Sequence, residues 1–397
     1  MSFFLFKKKP SLSFVFDIRD SFISSGIVRF QDDKKPELIL CEDFDILYQN
    51  KKDHRKYVAS MIRTLDRAVI SMRKELVKMG IKENIDKHYF FIGSPWSVSQ
   101  SKTIKILKNK LFEVNSELLN KIIISEEFAV EKEIEDITSE PNWKVLEQKI
   151  IQSKINGYKI ENIFGKKTSN LSLELFVSFI PYEIKDKLSS YINERLGKKN
   201  KDTKHSCILS SYSFLRDLYS DRNDFIYVDI GGLITDIYVV RDDIVFNIGS
   251  FPFGEGNIIE TAMERSNLSR TILMSHLNIG RDKKFDLDSH NNGVDLLRHG
   301  FSIWRNNLET MLSKMCTEMN IPNNIFAISN SLVTDILFNE LDRESESNSL
   351  NILGTNIRIN NIKESILNNF ISNGKSFPNK PYIKMDMVFI DKMQKNN

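Results

Sequence analysis

The residue types best suited to chemistry stand in residues 225–240, "FIYVDIGGLITDIYVV", where one apolar strand turns into another. The turn and its flanks carry Asp229, Gly231, Gly232, Thr235 and Asp236. Glycines in a turn let backbone N–H groups approach phosphate oxygens without obstruction by a Cβ atom. An aspartate at a strand end can hold a magnesium ion, usually through its waters. An ordinary hairpin would explain the same glycines, so both interpretations stay open.

The elements that position this turn have a counterpart in the first half of the chain. Two β-rich runs, "SLSFVFDIRD" and "SFISSGIVRF", predict a hairpin that turns at residues 19–21, and "PELILCEDF" predicts a third strand beside them. Apolar residues recur at intervals of three and four from Tyr57 to Met79, which predicts an amphipathic helix that ends at Gly80. "KHYFFIGSPWSV" predicts a further buried strand.

The second half repeats this scheme. A hairpin begins at Phe225, helical patterns dominate from Ile258 to about Met319, and "NIFAIS" predicts a strand. Beyond "DRESESNSL" the sequence predicts a polar, less ordered tail. The chain therefore reads as hairpin, helix and strand, an insert, and then hairpin, helices and strand.

The insert covers residues 101–178, which are rich in lysine and glutamate. Short strands are predicted at "KIIIS" and "LSLELFVSFI", and a helix from Trp143 to Ser153. Together they predict a small α+β unit. Behind it, "PYEIKDKLSSYINERLG" predicts an amphipathic helix, and the charged run "KKNKDTKH" predicts a solvated loop.

Composition limits the possible functions. The chain has 397 residues and 41% hydrophobic content, enough for two or three compact domains. Lys+Arg number 56 and Asp+Glu 53, a net charge of +3 that does not favour nucleic acid as a partner. The three cysteines are far apart, which favours reduced thiols in a cytosolic protein over disulfide bonds. No histidine has metal-ligand spacing, so a zinc site is not predicted.

No apolar run approaches the roughly 18 residues that span a bilayer. The start "MSFFLFKKKP" places its apolar residues before its lysines, the reverse of a signal peptide. Residues 3–9 are expected either to fray or to touch an anionic membrane surface.

The glycine hairpin resembles the second phosphate loop of the actin-like ATPase superfamily, and "FVFDIRDSFISSGIV" occupies the place of the first. The order of segments is similar to the FtsA and PilM branch, whose first lobe carries an insert of the type called SHS2; "KVLEQKIIQSKINGYKIENIFGKKTSNLSLELFVSFIPYEI" looks like that insert. The resemblance implies an α/β, duplicated ribonuclease H-like fold of two lobes. It divides the chain into lobe 1 (1–100 and 179–222), the insert (101–178) and lobe 2 (223–397).

The resemblance also implies a site for ATP and magnesium between the lobes. "FNIGSFPFGEGNIIETAME" resembles the segment where a glycine pair opens a helix beside the nucleotide, and Asp17 and Asp229 match the positions beside the metal. The implied cofactor-binding residues are Asp17, Arg19, Ser21, Asp229, Gly231, Gly232, Leu233, Thr235, Asp236, Gly254, Gly256, Asn330 and Ser331. No catalytic residue is assigned.

This chain departs from the family at several of these positions. In the first loop Arg19 replaces a glycine, Asp20 replaces a hydroxyl residue, and Ser24 falls where a lysine is usual. A side chain blocks close backbone approach at such a turn, and an aspartate repels phosphate. Arg19 either pairs with a phosphate or is a surface arginine on a repurposed turn. Asn330 and Ser331 replace glycines that cup the base, so we expect binding without efficient hydrolysis, or an empty cleft.

The resemblance implies a cytoplasmic scaffold, peripheral to the inner face of a bacterial membrane. A PilM-like protein would bind the cytoplasmic tail of a membrane partner and support a type IV pilus or secretion apparatus. An FtsA-like protein would tether the division filament and could self-associate. The final "MVFIDKMQKNN" lacks the amphipathic membrane helix usual in FtsA, which favours PilM. An active ATPase or sugar kinase of the same fold remains a third alternative.

Overall fold

The structure is a computed structural model. It describes residues 11–47, 53–138, 142–197, 201–221, 223–282, 292–317, 320–328, 330–346, 351–352, 354–372 and 376–396. The predicted membrane-touching or frayed segment, residues 3–9, lies outside this range. Within the described residues no helix combines the length and apolar character needed to cross a membrane.

The first lobe is built on a five-stranded sheet. Its first elements are β1 (Ser11–Ile18), β2 (Phe22–Phe30), β3 (Glu37–Asp45), α1 (His54–Lys78) and β4 (Ile85–Ile92). Phe14 and Phe16 of β1 pack against one face of α1, and Val15 points to the opposite face of the sheet. The Asp53 carboxylate accepts the Lys56 N–H at 3.2 Å and so caps the start of α1. The predicted hairpin, third strand and long helix are confirmed. The predicted buried strand is confirmed for residues 87–92, whereas residues 93–97 form a turn.

The insert forms a sheet of its own. Its elements are β5 (Val98–Glu113), α2 (Ser116–Thr138), β6 (Trp143–Ile155), β7 (Tyr158–Lys159) and β8 (Lys167–Pro181), with strand order β5-β8-β6-β7. Two predictions here are wrong. Residues 121–125, "KIIIS", belong to α2, because Leu119, Val130 and Ile134 bury one helical face. Residues 143–153 form a strand, because pairing with β8 overrides their local helical pattern.

The chain then returns to the first sheet. It does so through α3 (Tyr182–Tyr191), a π-helical turn (Ile192–Gly197), β9 (Lys201–Ser206) and α4 (Cys207–Leu218). The prediction of a loop for the charged run 198–205 is wrong for residues 201–205, which pair in parallel with β4, and residues 198–200 lie outside the described range. Its polar side chains are compatible with a strand because β9 is at the edge of the sheet.

The second lobe begins with a hairpin and a layer of helices. The elements from here on are β10 (Phe225–Ile230), β11 (Thr235–Arg241), β12 (Ile244–Phe251), α5 (Glu255–Ser266), α6 (Arg270–Asp282), α7 (Asn292–Met315), β13 (Asn324–Ile328), α8 (Leu332–Glu346), β14 (Asn351–Ile352), β15 (Thr355–Asn356), β16 (Arg358–Asn361), α9 (Glu364–Leu367) and α10 (Pro381–Asn396). The last of them, α10, packs against β1, β2 and α4 of the first lobe. The predicted hairpin, helices and "NIFAIS" strand are confirmed. The polar tail is wrong for the described residues beyond 350, because Ile383, Met387 and Ile390 of α10 are buried.

The two large sheets have the same topology. Their strand orders are β3-β2-β1-β4-β9 and β12-β11-β10-β13-β16, each with three antiparallel strands followed by two parallel ones. This repetition confirms the predicted duplicated α/β architecture. One apolar cluster joins the lobes, since Val15 of β1, Tyr227 of β10 and Ile383 of α10 all belong to it.

Candidate functional site

The turns after the two central strands, β1 and β10, face each other across the lobes. Each turn has four residues between its last paired strand positions. They lie so close that a Cβ atom on Gly232 would be 2.4 Å from Ser21 Oγ. Only a glycine leaves room for this approach.

Asp20 of the first turn binds the backbone of the second. Its Oδ1 accepts the Gly232 N–H at 3.0 Å, and its Oδ2 accepts those of Leu233 at 2.6 Å and Ile234 at 3.0 Å. Successive N–H groups of this kind form an anion-binding concavity. Asp20 is buried, and burial raises the pKa of its carboxyl group, while the three N–H donors act in the opposite direction. The carboxylate therefore occupies the position at which the glycine turn would hold an anion.

Arg19 places its guanidinium between the two strand-end aspartates. Its Nε donates to Asp17 Oδ1 at 2.6 Å, its Nη2 to Asp17 Oδ2 at 3.1 Å, and its Nη1 to Asp229 Oδ2. All three side chains are buried. Burial raises the pKa of Asp17, and Arg19 partly offsets this; the two carboxylates hold the pKa of Arg19 well above its usual value. Arg19 is therefore not a surface arginine.

Residues outside the predicted set complete the cluster. Tyr382 of α10 donates from its hydroxyl to Asp229 Oδ1 at 2.9 Å, and the Arg19 guanidinium lies 3.6 Å from the centre of its ring. Trp96 donates its indole N–H to the Arg19 carbonyl at 2.8 Å, and Tyr57 donates its hydroxyl to the Asp20 carbonyl. Sequence reasoning missed Tyr382 because it lies in the supposed tail, and no local motif marks it.

The N-terminus of α5 also binds the second turn. The N–H of Glu255 donates to the Gly231 carbonyl at 2.9 Å, and that of Gly256 to the Gly232 carbonyl at 2.7 Å. A Cβ on Gly254 would lie 2.3 Å from the Gly231 oxygen. The glycine pair does open a helix at the turn, but these two helix N–H groups are bonded to backbone carbonyls.

Thr235 and Asp236 make contacts away from the anion position. Thr235 Oγ1 donates to the Phe253 carbonyl at 2.7 Å and accepts the Trp304 indole N–H at 3.0 Å. Asp236 Oδ1 accepts the Ser94 hydroxyl at 2.9 Å, a further bond between the lobes. Burial, then the nearby Asp229 charge, raises the pKa of Asp236 to about 7.

A cleft of about 660 Å³ lies beside the two turns. Its described lining includes Asn330 and Ser331, together with one cation, Arg270, and the acidic residues Asp43, Asp45, Glu255 and Glu260. Asp43 is paired with Lys380 at 2.6 Å. The predominance of carboxylates disfavours a polyanion in this cleft.

This arrangement does not fit bound ATP with magnesium. The N–H groups that would contact phosphate are bonded to Asp20, and the carboxylates of Asp17 and Asp229 are bonded to Arg19. Among the described residues, no three His, Cys, Asp or Glu side chains converge to hold a metal ion.

Comparison with known proteins identifies the fold. No family model and no curated protein matches the sequence. The structure is similar to a solved "PilM-PilN type IV pilus biogenesis complex", with a TM-score of 0.54 and 12% identity over 96% of each chain. The fold is actin-like.

Two further solved structures have lower TM-scores. The ethanolamine utilization protein EutJ from Carboxydothermus hydrogenoformans has a TM-score of 0.45 and 9% identity, covering 96% of this chain and 90% of that one. A Bacteroides thetaiotaomicron protein described as having an "actin-like ATPase fold and unknown function" has a TM-score of 0.39 and 10% identity, covering 95% and 97%. The PilM likeness therefore carries the fold assignment.

Proposed function

We propose that this chain is a PilM-type scaffold, peripheral to the inner face of a bacterial membrane. It binds the cytoplasmic tail of a membrane partner and supports assembly of a type IV pilus or a related secretion apparatus. In this proposal residues 101–178 are an SHS2-like insert in lobe 1 (1–100 and 179–222), and residues 223–397 form lobe 2.

The observation that supports a binding role over a catalytic one is that the polar groups of the two turns are hydrogen-bonded to each other. A phosphoryl-transfer enzyme of this fold needs free donors for phosphate and free carboxylates for magnesium. Here the N–H donors of residues 232–234 are bonded to Asp20, and the carboxylates of Asp17 and Asp229 are bonded to Arg19. The likeness to a PilM chain solved with PilN, over 96% of both chains, supports a membrane-protein partner.

The test uses the full chain in the bacterium that encodes it. A tagged chain is expected to sediment with inner membranes and to co-purify with a membrane protein that has a short cytoplasmic tail. A synthetic peptide of that tail should bind the purified chain without nucleotide in fluorescence anisotropy, and a scrambled peptide should not. Deletion of the gene should remove surface pili or secretion.

Other outcomes would decide for the alternatives. Filamentous cells after deletion, together with binding to the division filament protein, would indicate an FtsA-like tether. Steady phosphate release from ATP by the purified chain would indicate an active ATPase or sugar kinase. A chain that stays entirely out of the membrane fraction and binds no tail peptide would contradict the scaffold proposal.

A further inference from the structure

We propose that Arg19 and Asp20 are this chain's own ligands for the cation and anion positions of the second hairpin turn, and that they join the lobes without nucleotide. The glycine turn is then a latent anion site whose occupant is part of the protein. This inference concerns the interior of the molecule and does not depend on which partner the scaffold binds.

The anion position is the first part of the argument. One carboxylate accepts three consecutive N–H groups at 2.6–3.0 Å, the distances expected of charge-assisted hydrogen bonds. A phosphate oxygen bonded to the same donors would have to occupy the volume of the Asp20 carboxylate. Glycine at 231 makes this approach possible, because a Cβ there would lie 2.9 Å from Asp20 Oδ2.

The cation position is the second part. Asp17 and Asp229 are the penultimate residues of β1 and β10, so the duplicated fold brings two equivalent carboxylates together. A divalent cation could lie between them in another protein of this topology. In this chain the guanidinium of Arg19 lies there, bound to both, with the Tyr382 ring against its face. Two buried carboxylates without a cation would be strongly unfavourable.

These same contacts join the lobes. Arg19 and Asp20 belong to the first lobe, whereas Asp229 and the N–H groups of residues 232–234 belong to the second. Closure in a nucleotide-dependent protein requires a bound ligand between the lobes. Here the groups of Arg19 and Asp20 that make these hydrogen bonds are part of the chain itself, so closure at the turns needs no diffusible ligand.

Removal of the built-in anion should expose the latent site. We expect Asp20→Ala to lower the Tm and to gain binding of inorganic phosphate, measured by calorimetric titration and by the rise in Tm with phosphate at constant ionic strength. The Kd for phosphate should be about tenfold or more below that of the unaltered chain, because three N–H donors become available to a charged acceptor. Asp86→Ala is the matched control: it removes an exposed aspartate and changes the net charge equally, and it should gain nothing.

Two results would overturn the inference. One is binding of phosphate or ATP to the unaltered chain at the second turn; the other is a folded Asp20→Ala variant that gains no phosphate binding. If that variant does not fold, amide hydrogen exchange on the unaltered chain decides. Protection of the Gly232, Leu233 and Ile234 amides that is the same with and without ATP supports a built-in ligand. Protection that appears only with ATP contradicts it.

Discussion

The two turns of this protein have the same length and the same closing hydrogen bond, but they present complementary polar groups. "DIRDSFIS" (17–24) and "DIGGLITD" (229–236) each follow a central strand, and each turn is closed by one hydrogen bond: Arg19 N–H to Phe22 carbonyl at 3.0 Å, Gly231 N–H to Ile234 carbonyl at 2.8 Å. The second turn offers bare backbone donors. The first turn offers a guanidinium and a carboxylate.

The difference shows how one copy of a duplicated loop can become the ligand of the other. Both Arg19 and Asp20 stand where the second turn has glycine, and each is buried against that second turn. An aspartate in the first turn would repel a phosphate, yet it satisfies the donors that a missing phosphate would leave unpaired. An aspartate at position 20 thus disfavours a phosphate in the cleft and, at the same time, makes the hydrogen bonds that the phosphate would have made.

Removal of the cation from the first turn should have the largest effect. Arg19→Met leaves Asp17 and Asp229 buried without their partner, and we expect a loss of about 3–5 kcal/mol in the free energy of unfolding, measured by urea denaturation. Arg298→Met is the control. It removes an exposed pair with Asp295, and should cost at most about 1 kcal/mol. Equal losses in the two variants would contradict a structural role for the buried cluster.

Addition of a side chain to the second turn should have an intermediate effect. Gly232→Ala brings a Cβ to within 2.4 Å of Ser21 Oγ, and the separation of the turns should cost about 2 kcal/mol. Ser21→Gly should restore part of this loss in a double-mutant cycle, with a coupling of about 1 kcal/mol. Additive effects of the two changes would mean that the turns are not in contact in solution.

The pH dependence of stability tests the far end of the second turn. The pKa of Asp236 is raised to about 7 in the folded protein from a usual 3.8, so its contribution to stability is fully present below about pH 4 and is lost as pH rises through 7. Asp236→Asn keeps the oxygen that accepts from Ser94 and does not titrate. We expect the free energy of unfolding of the variant, relative to that of the unaltered chain, to rise by about 2 kcal/mol between pH 4 and 8. This is less than the full pKa shift would give, because Asp236 is only partly buried and solvent screens its charge.

The denaturation curves at pH 4, 6 and 8 supply the measurement. Asp86→Asn provides the control, because it makes the same chemical change at an exposed aspartate. Parallel pH profiles for Asp236→Asn and the unaltered chain would show that this carboxyl group does not titrate in the predicted range.

Long periodic patterns were predicted well because they are local. The helix α1 and both hairpins follow directly from apolar spacing and from glycine or polar turns. The insert shows the limit of such patterns: residues 143–153 have helical spacing, but pairing with β8 makes them a strand. The stretch near 350 is polar, and this concealed the buried helix α10 that follows it.

The sequence by itself determined the duplicated hairpins and the aspartate at the end of each central strand, because alternation and turn chemistry act over a few residues. It also placed Arg19 and Asp20 where glycine and a hydroxyl residue were expected, but left open whether they face a phosphate or solvent. Only the tertiary structure decided that they face the other turn. The contact joins residues 212 positions apart, Asp20 and Gly232, and no local pattern encodes which buried donors a side chain will meet when two lobes close.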